Sequence, residues 1–151
     1  MIDLVPLDRK RLDMLSGLAS SEPLISVLAA TANMYARTGQ DAPWLSYLAA
    51  DADTGDIVGI CSFTDKPEDG SVEISYFTFP GYERRGLATR MATELVGIAR
   101  AEPEIRSIAA HTLPDDNAST RILQKLGFSH SGTATDPDAG TVWAWTLDCR
   151  N

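Results

Sequence analysis

The stretch VEISYFTFPGYERRGLATRM, Val72 to Met91, joins a β-branched and aromatic run to two arginines, a glycine and an apolar repeat. Its first part predicts a strand over Val72–Phe79. In its second part and just beyond, Leu87, Ala88, Met91, Leu95, Ile98 and Ala99 recur at helical spacing on one face. A strand that runs through Pro80-Gly81 into a helix puts the helix N-terminus at the strand's end. Several backbone N–H groups lack partners there, and the aligned peptide dipoles amount to about half a positive charge. Phosphate binds well at such a place. Gly86 removes a side chain where a ligand approaches the backbone. Ala88 keeps the next turn small, Thr89 adds a hydroxyl, and Arg84 and Arg85 add charge outside the helix end. This is chemistry for a diphosphate, although the string is neither a P-loop nor GxGxxG. The plainer reading is a tight turn at Gly86 with solvated arginines, and the rest of the chain decides between the two.

Working outward, Ile2–Leu7 reads as a strand. Asp8 can cap a helix with Leu12, Leu15 and Leu18 on its apolar face. A second helix starts near Ser21 with Pro23 in its first turn, and Leu24, Val27, Leu28 and Tyr35 form its apolar face. Trp44–Ala50 and Asp56–Phe63 read as strands joined by the turn chemistry of DADTGD. The helix after Gly86 ends near Glu102-Pro103, because the residue before proline disfavours helix. Ser107–Thr112 is a strand, and Asn117–Leu126 is a helix with Gly127 as its C-terminal stop. Phe128–Ser131 and Thr141–Leu147 are strands parted by TDPDAG. The order β-α-α-β-β-β-α-β-α-β-β predicts a mixed α/β sheet in one domain, residues 1–151. A doubly wound fold needs regular alternation, which this chain lacks.

Composition narrows the class. The chain has 151 residues, 44% hydrophobic and 23% charged, enough for a core without staples. No apolar run approaches the roughly 20 residues of a membrane span. The acidic N-terminus, MIDLVPLDRK, is wrong for a signal peptide, so a cytoplasmic location is expected. Cys61 and Cys149 show no metal spacing and read as free thiols. A net charge of -8 disfavours nucleic acid and anionic membranes; it serves plain solubility and also suits a cationic partner such as an amine. No metal constellation is present in the sequence.

Four blocks together carry a family resemblance: VEISYF (Val72–Phe77), PGYERRGLAT (Pro80–Thr89), HTLPDDNAS (His111–Ser119) and LQKLGF (Leu123–Phe128). At this spacing the chain resembles the GNAT superfamily of acetyl-CoA-dependent N-acetyltransferases. Within it, the resemblance is to the RimJ/RimL-like branch, which includes the ribosomal-protein N-terminal alanine acetyltransferases. It covers roughly residues 55–148; the first 50 residues match only in element order. It implies the GNAT fold, acetyl-CoA as cosubstrate, and an amine acceptor, either a small molecule or a protein N-terminus. The family's pyrophosphate loop, Gln/Arg-x-x-Gly-x-Gly/Ala, becomes Glu83-Arg84-Arg85-Gly86-Leu87-Ala88. Glu83 departs at the first position, which a loop binding through backbone N–H groups tolerates. The resemblance implies that the backbone of Phe77, Thr78 and Phe79 pairs with the pantetheine arm. It also implies that Asn117 bonds the cofactor near its thioester end and that Ser119 points toward the same arm or its sulfur.

The implied reaction moves an acetyl group to an amine by direct attack. It needs a base, oxyanion stabilisation and an exit for the thiol. Strand alternation puts Glu73, Ser75 and Phe77 on one face and Val72, Ile74 and Tyr76 on the other. Glu73 is the candidate base, a carboxylate on a central strand where desolvation would raise its pKa. Relatives use a glutamate on this strand. Many also carry a tyrosine acid five positions before Phe128, where this chain has Leu123. Ser119 or a water takes that role, or none is needed. His111 is either a second base or a hydrogen-bonded strand-end histidine. Trp143 and Trp145 read as core, as do Trp44, Tyr47 and Tyr35, which otherwise line an acceptor pocket. A homodimer through the last strands is compatible with their exposed edge. The rival class is a non-catalytic acetyl-CoA-binding sensor or partner module.

Overall fold

Asp8, two residues past the first strand, opens the first helix, its carboxylate accepting from the Arg11 backbone N–H at 2.8 Å. The computed structural model describes residues 1–149. Its elements are β1 Ile2–Pro6, α1 Arg9–Leu18, α2 Leu24–Thr38, β2 Ser46–Asp51, β3 Ile57–Phe63 and β4 Ser71–Thr78. They continue with α3 Leu87–Arg100, β5 Ser107–Thr112, α4 Ala118–Lys125, β6 Ser129–Asp136 and β7 Gly140–Asp148. This is the order read from the sequence.

The strands form a seven-stranded sheet in the order β1-β2-β3-β4-β5-β7-β6. Every neighbouring pair is antiparallel except β4–β5, which is parallel. Parallel neighbours need a crossover, and α3 supplies it. The β4–β5 ladder is short. It runs from Ser71↔Ser107 to Ile74↔Ala110 and stops, while β4 continues to Thr78 beside β3. Beyond Ile74 the edge of β4 that faces away from β3 meets no strand.

Gly59 fixes how α3 lies on the sheet. A Cβ there would sit 2.6 Å from the Phe77 carbonyl oxygen and 3.0 Å from the Met91 side chain. Gly59 therefore faces α3, and strand register puts Cys61, Phe63, Ile74 and Tyr76 on the same face. Met91, Ala92, Leu95 and Ala99 of α3 are fully buried against it. Elsewhere, the Tyr35 hydroxyl of α2 donates to the Leu7 carbonyl and accepts from the Ser46 N–H, both at 2.8 Å. The Gln40 side-chain amide, also fully buried, donates to the Trp44 and Phe63 carbonyls at 2.9 and 2.6 Å. Trp44 packs edge-on to Phe63 with centroids 5.0 Å apart, so Trp44, Tyr47 and Tyr35 are core residues.

Two elements differ from the sequence reading by three residues or more. Strand β6 runs to Asp136 instead of ending at Ser131, because Thr133–Asp136 pair with Trp143–Gly140 of β7, although their polar pattern carries no strand signal. It is an edge strand, exposed along most of its length, with a bulge between His130 and Gly132 that breaks the alternation. Helix α2 starts at Leu24, not Ser21, since Pro23 occupies the N-cap without a side-chain acceptor. Glu22 compensates by accepting from the Ser26 N–H at 2.9 Å. Cys61 is buried and Cys149 half-buried, and both are free thiols.

Gly59→Ala forces the β3–β4 ladder or Met91 to move, and we expect a loss of about 1–3 kcal/mol in equilibrium urea unfolding. An unchanged midpoint would contradict the close approach of Phe77 and Met91 to this glycine.

Candidate active site

Where β4 and β5 part, a cavity of about 810 Å³ opens between β4, the loop after it, α3 and α4. One end is built by the loop and the first turn of α3. Gly86 is the N-cap, with φ 74°, and brings no side chain to the N–H groups of the first turn. Those of Leu87, Ala88 and Thr89 have no partner within the helix, and all three residues line the cavity. A Cβ on Gly86 would meet no atom within 4 Å, so the space over it is open. Arg84 also adopts a left-handed conformation, φ 67°, which is uncommon outside glycine. Glu83 departs from the family pattern and acts locally. Its carboxylate accepts from the Gly81 N–H at 2.8 Å and holds the loop.

The predicted cofactor residues separate into two groups. Phe77, Thr78, Arg84, Gly86, Leu87, Ala88, Thr89 and Ser119 line the cavity. Phe79, Arg85 and Asn117 do not. Phe79 is buried, and its N–H donates to the Val58 carbonyl at 2.8 Å. The Arg85 guanidinium lies 5.4 Å from the centroid of the Tyr82 ring. The Asn117 side chain accepts from the Thr120 N–H at 3.0 Å, and the Thr120 hydroxyl accepts from the Asn117 N–H at 3.0 Å. This reciprocal pair is a capping box for α4. The cavity wall from α4 is Ala118, Ser119 and Ile122.

Beyond the cavity, further back along β4, Glu73 meets His111. The Glu73 Oε2 lies 3.1 Å from His111 Nδ1, with the side chains 36% and 35% exposed. The parallel ladder brings them together: Glu73 pairs with Ala109, and His111 stands two residues on, on the same face. Glu73 is thus not walled in by apolar groups, and an imidazole is its partner. Leu123 is fully buried. The side chain missed in the sequence is Tyr76. It lines the cavity from the α3 side, and its hydroxyl donates to the Ser119 carbonyl at 3.5 Å. Burial pushes this phenol up to about 12. Alternation assigns its face, but its position at the strand parting is visible only in the fold. His130, given no role, packs its ring 4.8 and 5.2 Å from those of Trp143 and Trp145.

A parting sheet edge, a helix N-terminus and an arginine around one cavity place the chain in the class of folds with a cradle of the kind that suits phosphate. Comparison with known proteins fits this class. Residues 19–129 match the family described as the acetyltransferase (GNAT) domain, and the chain belongs to that family. It is 31% identical over 84 residues to the uncharacterized N-acetyltransferase YjdG of Bacillus subtilis, covering 55% of this chain and 50% of that one. It is 31% identical over 98 residues to phosphinothricin N-acetyltransferase of Streptomyces coelicolor, covering 62% and 57%. The chain thus spans about half the length of these curated relatives. The spermidine N-acetyltransferase of Vibrio cholerae, solved with CoA and spermine, superposes with a TM-score of 0.70 over 97% of this chain and 95% of its own, at 13% identity. At that identity the likeness is one of fold. No helix among the described residues is long and apolar enough to cross a membrane, and no group of metal-binding side chains occurs among them.

Asn117→Ala removes the acceptor of the α4 cap and is expected to cost about 1 kcal/mol. Asn117→Asp keeps an acceptor and should melt within a degree or so of the wild type in a thermal scan. Equal losses in both variants would show that the amide nitrogen, and not the cap, matters.

Proposed function

We propose that the protein is an acetyl-CoA-dependent N-acetyltransferase that passes an acetyl group to a primary amine by direct attack in a ternary complex. The observation that carries this is the placement of the Glu73–His111 pair astride the last β4–β5 rung, Ile74↔Ala110, where the strands part and a cavity with a phosphate-type cradle opens. The cavity fits the cosubstrate. The α3 N-terminus and Arg84 would hold the diphosphate, and the unpaired edge of β4 at Phe77 and Thr78 would take the amide groups of the arm. Bound there, acetyl-CoA supplies an activated acetyl group.

The chain's own residues divide the work in three. The N–H groups at the start of α3 balance phosphate charge in a protein of net charge -8. Glu73 takes a proton from the acceptor's ammonium group, which makes the nitrogen a nucleophile. His111 is a positioning residue: its Nδ1–H would donate to Glu73 Oε2 and leave the other carboxylate oxygen for the amine. Glu73, Ser75 and Phe77 stand on the sheet face opposite α3, and Ser75 and Phe77 are exposed, so an acceptor reaches the base from that side.

The acceptor is a small amine on this reading. The names of the relatives support it, since phosphinothricin and spermidine acetyltransferases take small substrates. The alternative, a protein N-terminus as in the RimJ/RimL-like branch, is tested by the same assay. Thiol release from acetyl-CoA is followed over a panel of small amines and N-terminal peptides, with mass spectrometry of products. Turnover on small amines alone is expected, and turnover on peptides alone would restore the ribosomal-protein branch.

Glu73→Gln is expected to keep coenzyme A affinity, measured by calorimetry, and to lower kcat by about 10²–10⁴-fold. His111→Gln should lower kcat less. Full turnover in Glu73→Gln would remove the carboxylate from the mechanism, and binding without turnover in the wild type would favour a sensor.

A further inference from the structure

We propose that Tyr76 is the hydrogen-bond donor to the thiol sulfur that departs in the transfer. The inference rests on the acetyl-CoA reading of the cavity and assigns a residue to its reacting end. That end follows from the order of groups along β4. The phosphate cradle lies past Thr78 at Gly86, and the base lies at Glu73 on the other side. Tyr76 stands between them, two residues past the last β4–β5 rung at Ile74↔Ala110.

Its side chain points to the helix side of the sheet and lines the cavity opposite Ser119 and Ile122. Its hydroxyl has a partner, the Ser119 carbonyl, at 3.5 Å. That distance is the limit of a hydrogen bond, so the proton is loosely held and free to turn to a better acceptor. A sulfur carrying negative charge is one, because charge-assisted bonds are stronger than neutral ones. Leu123 supplies no donor, being fully buried in the core. Ser119 lines the same stretch, and the group it turns to Tyr76 is its carbonyl.

The proton balance sets the kind of help Tyr76 gives. In the transfer the amine nitrogen bonds to the acetyl carbon, the carbon–sulfur bond breaks, and its electron pair stays on sulfur. The acceptor ammonium loses one proton to Glu73 before attack, which passes to solvent. The second leaves the nitrogen after attack and ends on sulfur. Tyr76 keeps its own proton throughout. Its phenol, raised to about 12 by burial, is a weaker acid than an ordinary thiol at about 8.5. Its contribution is therefore a hydrogen bond to developing charge and not a proton transfer.

The test compares binding of coenzyme A with that of desulfo-coenzyme A, which lacks the sulfur, by calorimetry at about pH 7 and about pH 9.5, on either side of an ordinary thiol's ionisation. Wild-type protein is expected to prefer coenzyme A, and the preference should rise about tenfold at the higher pH, the worth of one charge-assisted bond. Tyr76→Phe should bind both ligands with no rise. A rise that persists in Tyr76→Phe overturns the assignment. So does a wild-type preference that does not grow with pH, whether or not Tyr76→Phe folds. Wild-type protein that binds neither ligand overturns the acetyl-CoA reading itself, and this inference with it.

Discussion

The short parallel ladder between β4 and β5 is the constraint on which the rest of this structure depends. A parallel pair inside an otherwise antiparallel sheet needs a crossover helix, and here the crossover is α3. The same pair stops at Ile74 and Ala110. Backbone groups that lose a strand partner need another one, and the unpaired edge of β4 meets the cavity there. The helix brings its N-terminus to the mouth of the opening. One topological feature thus produces a strand edge, a positive helix end and a gap between them.

Local chemistry keeps the gap in shape. Gly59 lets α3 lie close on β3 and β4, with Met91 against the missing side chain. The capping box of Asn117 and Thr120 fixes the start of α4, which forms the other wall. Glu83 ties the loop to Gly81, and Arg84 and Gly86 after it hold left-handed conformations. None of these residues needs to touch a ligand to matter to it. In this acidic chain Arg84 and the α3 dipole bring positive charge to the mouth, which Glu83 also lines.

Much of this is legible in the sequence. The helical spacing from Leu87 to Ala99, the alternation in β4 and the glycine before the helix are local signals, and they locate the cradle and put Glu73 on its face. Other features are not legible, for physical reasons. The Glu73–His111 contact depends on the β4–β5 register, which no local pattern encodes. Tyr76 reads as an ordinary strand aromatic until the strands are known to part beside it. Asn117 carries both a family signature and a capping signature, and the fold commits its side-chain oxygen to the cap. Strand β6 reads short in the sequence because an edge strand exposed on both faces shows no apolar alternation.

The Glu73–His111 pair lies at the closed end of the two parting strands. Glu73 is one rung inside the last bonded pair, and His111, one residue beyond it, is backed by Ala144 of β7. A ligand that wedges the strands apart acts on the open arms, and the pivot of that lever is the rung at Ile74 and Ala110. Points beside a pivot move least. The wide end can adjust to its guest while the two side chains keep their spacing, so orientation of the Glu73 carboxylate is built in before anything binds.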